Sequence, residues 1–199
     1  MNIIDTSVVA TLLGLISVSA YFYKHKDKKY TEGKDKKISS PKHFEFVYRY
    51  LQLSTIITII LSRVVHIDWG TVFRTNYSGI SGIVIAIIGI AVFVAAKVRL
   101  GANYSPCFDS YVPQDIVRDG IYRHIRHPIY TANIIFLIGV FIATGHILAA
   151  VNIVLLTYYY WRSAQKEEAA LAREFATYRS YQKHSSMFFP THRVRFWRY

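Results

Sequence analysis

Five long apolar stretches alternate with polar segments along this chain, and they predict five helices. Residues 3–23 are apolar enough to cross a bilayer, which takes about 20 residues. The second stretch, 43–65, has the uncharged centre YLQLSTIITIILS. Arg49 and Arg63 flank it, placed to snorkel to opposite interfaces. The third, 79–98, carries small residues at four-residue spacing, Gly82 with Ala86 and Ala91 with Ala95, a pattern that permits close helix contact in lipid. The fourth runs from 128 to 144 and the fifth from 147 to about 161. Gly145-His146 between them predicts a tight turn, so the pair reads as a short helical hairpin. Glu168, Leu171, Phe175 and Tyr178 continue at three- and four-residue spacing, which predicts that the last helix leaves the membrane and runs on to about 183.

The polar segments set the topology. Segments 24–42, 99–127 and the tail after Trp161 hold the Lys/Arg excess, whereas 66–78 and the 145–146 turn hold almost none. Positive charge collects on the cytoplasmic side, so the expected fold is an all-α integral membrane protein. It has five transmembrane helices, the N-terminus outside, the C-terminus cytoplasmic and a pocket on the cytoplasmic side. Residues 1–98 form a three-span region with the basic loop 24–42. Residues 99–199 form the functional region: loop 99–127, hairpin 128–161, and the helix and tail 162–199. The start, MNIID, has no Lys or Arg, unlike the basic start of a cleavable signal peptide, so the first span is read as retained.

Composition narrows the function classes. The chain has 199 residues, 52% of them hydrophobic, with a net charge of +12. High hydropathy beside high charge suits a membrane protein whose charges lie in loops. The Lys run in 24–42 reads as a solvated loop with some attraction to anionic lipid, and no nucleic-acid partner is expected. Cys107 is the single cysteine, so neither an intrachain disulfide nor a paired-Cys zinc site can form. His124 and His127 lack a third ligand nearby, and no metal is expected. No internal repeat points to a transporter. Trp69, Tyr77 and the run Tyr158–Trp161 read as interface anchors, and the basic aromatic stretch 188–199 as a headgroup contact. No obligate protein partner is evident.

The stretch with the most chemistry is Gly120–Tyr130, GIYRHIRHPIY. Pro128 suits the first position of a helix, and a helix start presents unpaired N–H groups and a partial positive charge. Arg123, Arg126 and His127 crowd that end, which favours an anionic ligand such as a carboxylate or phosphate. Hairpin geometry places Tyr130 and Trp161 at similar depth. The loop from Gln114 to Tyr130 can therefore face the helix base from Arg162 to Glu168 across a small pocket.

GIYRHIRHPIY resembles the G-x-Y-x-x-x-R-H-P-x-Y motif of the isoprenylcysteine carboxyl methyltransferase family. QKEEAALAREFATYRSYQKHSSMFFP resembles that family's second block, E-E-x-x-L-x-x-x-F-G-x-x-Y-x-x-Y ending in a proline. Together the two cover about residues 99–190. Three departures stand out: Ala176 replaces the Gly after Phe175, the spacing from there to Tyr178 is one residue tighter, and Ser163 replaces a substrate-binding Arg beside Arg162. The resemblance implies a membrane enzyme that uses S-adenosylmethionine, releases S-adenosylhomocysteine, and esterifies the C-terminal carboxylate of an isoprenylated cysteine. It implies cofactor contacts at Gln114, Asp115, Ile116, Val117, Gly120, Tyr122, His127, Pro128, Ile129, Tyr130 and Glu167.

The residue chemistry agrees with that implication. The helix start with His127 suits the cofactor's carboxylate, Glu167 its ammonium, and Tyr122 or Tyr130 its adenine or sulfonium. No G-x-G-x-x-G on a strand is present to build a nucleotide-binding fold. A carboxylate nucleophile is ionised at neutral pH and needs an Arg to hold it, for which Arg162, Arg126 and Arg173 are candidates in that order. An amine would need a base, for which Glu168 or His124 could serve. A lipid tail is expected to enter sideways between the third and fourth spans. A phospholipid or small lipophilic substrate on the same scaffold, and a non-catalytic transporter or lipid-binding scaffold, are the competing readings.

Overall fold

The computed structural model describes residues 3–24, 38, 41–105, 110–113 and 115–190. The expectations for most of the basic loop, Cys107, Gln114 and the tail after Pro190 lie outside the described residues. Every regular element among the described residues is helical: α1 (Ile3–Lys24), α2 (Phe44–Arg63), α3 (Asn76–Leu100), α4 (Pro128–Thr144), α5 (Ile147–Glu174) and α6 (Tyr178–His184). Short 3₁₀ turns cover Gly101–Asn103 and Gly120–Arg123.

Two helices, α2 and α3, are long and apolar enough to cross a membrane; α4 and the Asp5–Val18 part of α1 are apolar but shorter. Large apolar side chains such as Phe46, Leu53, Ile80 and Val84 stay exposed on α2 and α3. Apolar surface of that extent on a helix exterior is the mark of a membrane-facing side.

The fourth helix is the centre of the bundle. It is apolar all round and is buried against α3, α5 and α2, as a helix without a polar face must be. Its ends are where local chemistry puts them. Pro128 opens it, and Gly145 closes it in the left-handed conformation at φ 62°. A Cβ at Gly145 would lie 1.5 Å from the Phe73 carbonyl oxygen, so the turn admits no side chain.

Half of the small-residue pattern makes the α3–α4 seam. A Cβ on Gly82 would sit 2.3 Å from the Ala143 backbone nitrogen, and one on Gly139 2.5 Å from that of Ala86. Backbones this close leave no gap between the two helices. The sideways entry expected there is closed, because the helices meet through glycine rather than through larger side chains. Ala91 and Ala95 are exposed and take no part.

Arg63 does not snorkel. It is 1% exposed, and its guanidinium donates to Asp5 Oδ1 at 2.9 Å and to the Ala143 carbonyl at 2.8 Å, with Thr75 O and Ser78 Oγ also in reach. The group ties α1, α2, α3 and α4 together at one end of the bundle. Sequence patterning gave no warning, because its anionic partner is far away in the chain. Tyr160 likewise leaves the expected interface belt for the core, whereas Tyr158 and Trp161 remain exposed.

The expected continuous helix to about 183 is broken. The α5 helix ends at Glu174, Phe175 turns extended, and α6 starts at Tyr178. The break lets α6 fold back, burying Tyr178 and Tyr181. Ala176 does not have a positive φ, so this turn does not call for the glycine that the motif carries.

Candidate active site

At the end of α4 remote from Arg63 lies a cavity with about 1000 Å³ of empty space, counting its open mouth. Its wall is built by the C-terminal part of α3, the loop before α4, the first turns of α4, α5 and α6, with Ile38 and, from α2, Tyr48. Asp115, Ile116, Val117, Tyr122, His127, Pro128, Ile129, Tyr130 and Glu167 all line it. Gly120 has φ 55° and shapes the adjoining 3₁₀ turn but is not in the wall. The two sequence blocks thus meet on one cavity, as the hairpin argument requires.

The two adjacent glutamates do different things. Glu168 is buried. Arg126 Nε donates to its Oε1 at 2.7 Å, His127 Nε2 lies 3.1 Å from the same oxygen, and Gln182 Nε2 donates to Oε2 at 2.8 Å. Glu167 sits on the cavity wall, receiving bonds from Ser110 Oγ at 2.8 Å and from the Tyr130 hydroxyl, with His127 Nδ1 3.5 Å away. One carboxylate is therefore spent on structure, and the other faces the space.

Arg126 is correspondingly a strut. Besides Glu168 it donates to the carbonyls of Ser185 and Gln182. Segment 185–188 runs across the motif: Arg126 N–H donates to Ser186 O at 2.9 Å, and His127 N–H to Met187 O at 3.0 Å. Thr131 Oγ1 donates to Phe188 O. Arg162 and Arg173, both exposed, are not brought to the cavity. Of the four residues expected at the chemistry, Arg126 lines the cavity, and Glu168 is buried behind it.

Burial alone would lower the His127 pKa, but hydrogen bonds and charge from Glu167 and Glu168 outweigh it and raise it. Burial would raise Glu168, but His127 and Arg126 hold it at about 2. The two form a charged pair whose pH signature follows. The carboxylate contribution is present above its ordinary 4.5 and is lost as pH falls through about 2. The imidazole contribution is full below its ordinary 6.5 and is lost as pH rises through the raised value. Thermal unfolding against pH should therefore show greatest stability from this pair between about 4.5 and 6.5. His127→Gln should flatten the alkaline fall; an unchanged alkaline limb would show that the imidazole is not held charged.

Tyrosines supply much of the remaining wall. Tyr122 reaches the Ala96 carbonyl, and Tyr181 donates to the Tyr122 carbonyl. Burial pushes the Tyr181 phenol up to about 12 and Tyr178 higher still, so both stay neutral donors. His127, Tyr130 and Tyr160 form a stack, with ring centroids 5.3 Å and then 4.5 Å apart. The stack runs down from the cavity into the bundle.

Below it opens a second space, an apolar groove between α2, α4 and α5 with one α1 residue, Ile16, lined by Leu51, Phe136, Leu137, Leu156 and Tyr160. Tyr48 and Asn133 belong to both walls, so the two spaces adjoin. Ser110, Tyr181, Tyr48 and Asn133 went unnoticed in the sequence. Only Tyr181 carried a signal, as the last tyrosine of the second block.

A cavity of this shape, with an acidic wall, a helix start and no nucleotide-binding sheet among the described residues, suits a membrane methyltransferase. Residues 77–178 match the family model for phospholipid methyltransferases. The chain belongs to the phospholipid methyltransferase family. This is the integral-membrane methyltransferase family of the isoprenylcysteine carboxyl methyltransferase type, in agreement with the motif resemblance. The matched span takes in α3, the loop, α4, α5 and Tyr178, which make most of the cavity wall. No curated protein matches the chain. As a phospholipid methyltransferase family member it is a membrane methyltransferase, and methyltransferases of this family generally use S-adenosylmethionine.

Proposed function

We propose that this protein moves a methyl group from S-adenosylmethionine to the polar head of a lipophilic substrate. The observation that carries the proposal is the junction of a cavity bearing Glu167 and the start of α4 with an apolar groove between α2, α4 and α5.

The residues present fit the cofactor. The α4 start has no side-chain cap, and its N–H groups at Ile129 and Tyr130 can receive a carboxylate. Glu167 can take an ammonium by charge-assisted hydrogen bonds, while Ser110 and Tyr130 hold it in place. The tyrosine-rich wall can take adenine and face the sulfonium. When bound, the cofactor supplies an electrophilic methyl group on sulfur and leaves as S-adenosylhomocysteine. What this chain then does is orient the acceptor and keep water out.

The first head group to consider is the carboxylate of an isoprenylated cysteine, on the strength of the two motif blocks. Such a carboxylate is ionised at neutral pH and needs no base. One observation favours a second reading, a phospholipid amine. Among the described residues lining either space, Arg126 is the one Arg or Lys, and Glu168 already holds it. We further propose five membrane crossings with the N-terminus outside. That puts the cavity on the cytoplasmic side, with the Lys/Arg-rich segments.

Methyl-labelled S-adenosylmethionine offered with N-acetyl-S-farnesylcysteine, dioleoylphosphatidylethanolamine or oleic acid tests the proposal. Label is expected in a lipophilic acceptor and not in chainless N-acetylcysteine. Base-labile label identifies an ester, and base-stable label an amine. Equal labelling of the chainless acceptor, or none of any acceptor, would contradict the proposal.

A further inference from the structure

We propose that Asn133 is the residue that grips the substrate's head group and selects it. The inference rests on the lipophilic-substrate reading above and adds to it a named contact.

Asn133 lies in the second turn of α4, roughly 9 Å along the axis from His127 at ~1.5 Å per residue. Its neighbours on that helix are almost all apolar. An amide in such a helix, in a membrane, is costly unless something satisfies it. Asn152 on α5 shows what satisfaction looks like: it bonds Ser54 and Thr55 on α2. Asn133 makes no side-chain hydrogen bond to a described residue. It is half-buried and lines both the cofactor cavity and the apolar groove.

Position and chemistry converge. A substrate whose chain fills the groove must bring its head to the place where the two spaces meet. Asn133 and Tyr48 are the residues common to both walls. An amide offers two donors and an acceptor, so it can bind a carboxylate through Nδ2 or an ammonium through Oδ1. It holds either without a charge of its own to offset. The junction then reads the head by hydrogen bonding, in a place where a polar group left unpaired is penalised.

The test uses the full chain in detergent with S-adenosylhomocysteine bound. Affinities for N-acetyl-S-farnesylcysteine and for a short-chain phosphatidylethanolamine are measured for wild type, Asn133→Leu and Asn133→Asp, with S-adenosylhomocysteine affinity measured alongside. In Asn133→Leu, affinity for the lipid that wild type binds should fall by about ten-fold or more, the loss expected for a hydrogen bond to a charged group. Cofactor-product affinity should stay within about two-fold. Asn133→Asp should weaken the carboxylate ligand and spare or strengthen the amine. Wild-type lipid affinity in Asn133→Leu would overturn the inference alone. So would a parallel loss of S-adenosylhomocysteine, which would make the residue structural. No binding of either lipid by wild type would overturn the lipophilic-substrate reading, and the inference with it.

Discussion

Glu168→Ala should destabilise the folded protein by about 3–5 kcal/mol, the usual consequence of stripping one partner from a buried ion pair. The side chains of Glu168, Arg126 and His127 are 10%, 9% and 8% exposed, so solvent cannot replace the missing carboxylate. Removing Glu168 leaves a guanidinium and a raised-pKa imidazole side by side without their shared anion. The damage spreads beyond the pair, because Gln182 on α6 also bonds Glu168. Segment 185–188 and α6 should loosen together. In thermal unfolding the drop should be on the order of 10 °C for a chain of this size. Glu168→Gln, which keeps the shape and one acceptor, should fall between. A Glu168→Ala protein that unfolds at the wild-type temperature would show that the buried pair does not hold the site together.

That result also explains why the role of Glu168 was hard to read from sequence. A Glu-Glu pair near a helix end suggests two equivalent ligands or one base. The structure separates them by the direction each faces. Glu168 turns inward to charges presented by the loop before α4, and Glu167 turns to the cavity. Adjacent helix positions differ by about 100° around the axis, so the separation is built into the helix. What the sequence lacked was the orientation of the helix itself.

Local chemistry was legible in the chain and long-range pairing was not. Pro128 and Gly145 marked the two ends of α4, because a missing N–H and a left-handed turn are properties of single residues. The convergence of the loop before α4 with the base of α5 followed from a short hairpin. Arg63 misled because its partner, Asp5, sits at the other end of the N-terminal region. Arg126 misled for the same reason. A cation beside a proposed anion site invites a ligand role, but its carboxylate comes from the far helix. The groove between α2, α4 and α5 has no signature in sequence, since a cavity is the absence of a side chain where helices diverge. The closed α3–α4 seam was hinted at by Gly82 and Ala86, and Gly139 supplied the unseen half.

The second large effect concerns Glu167, and it bears on the central claim that the two sequence blocks build a cofactor site. Glu167 is held by Ser110, Tyr130 and His127 without being consumed by them, and it opens onto the cavity. Alanine there removes the one glutamate of the cavity wall among the described residues, while the Glu168 pair stays intact. The fold should therefore persist, with a smaller drop in thermal unfolding than in Glu168→Ala, because Ser110, Tyr130 and His127 each lose a partner. A charge-assisted bond to an ammonium corresponds to roughly 10–100-fold in affinity. The direct measurement is calorimetric titration of S-adenosylhomocysteine into the full-length protein in detergent, wild type beside Glu167→Ala. The expected result is binding by wild type and a loss of roughly 10–100-fold in the variant. Equal affinity in the two proteins, or no binding by a folded wild type, would contradict the account.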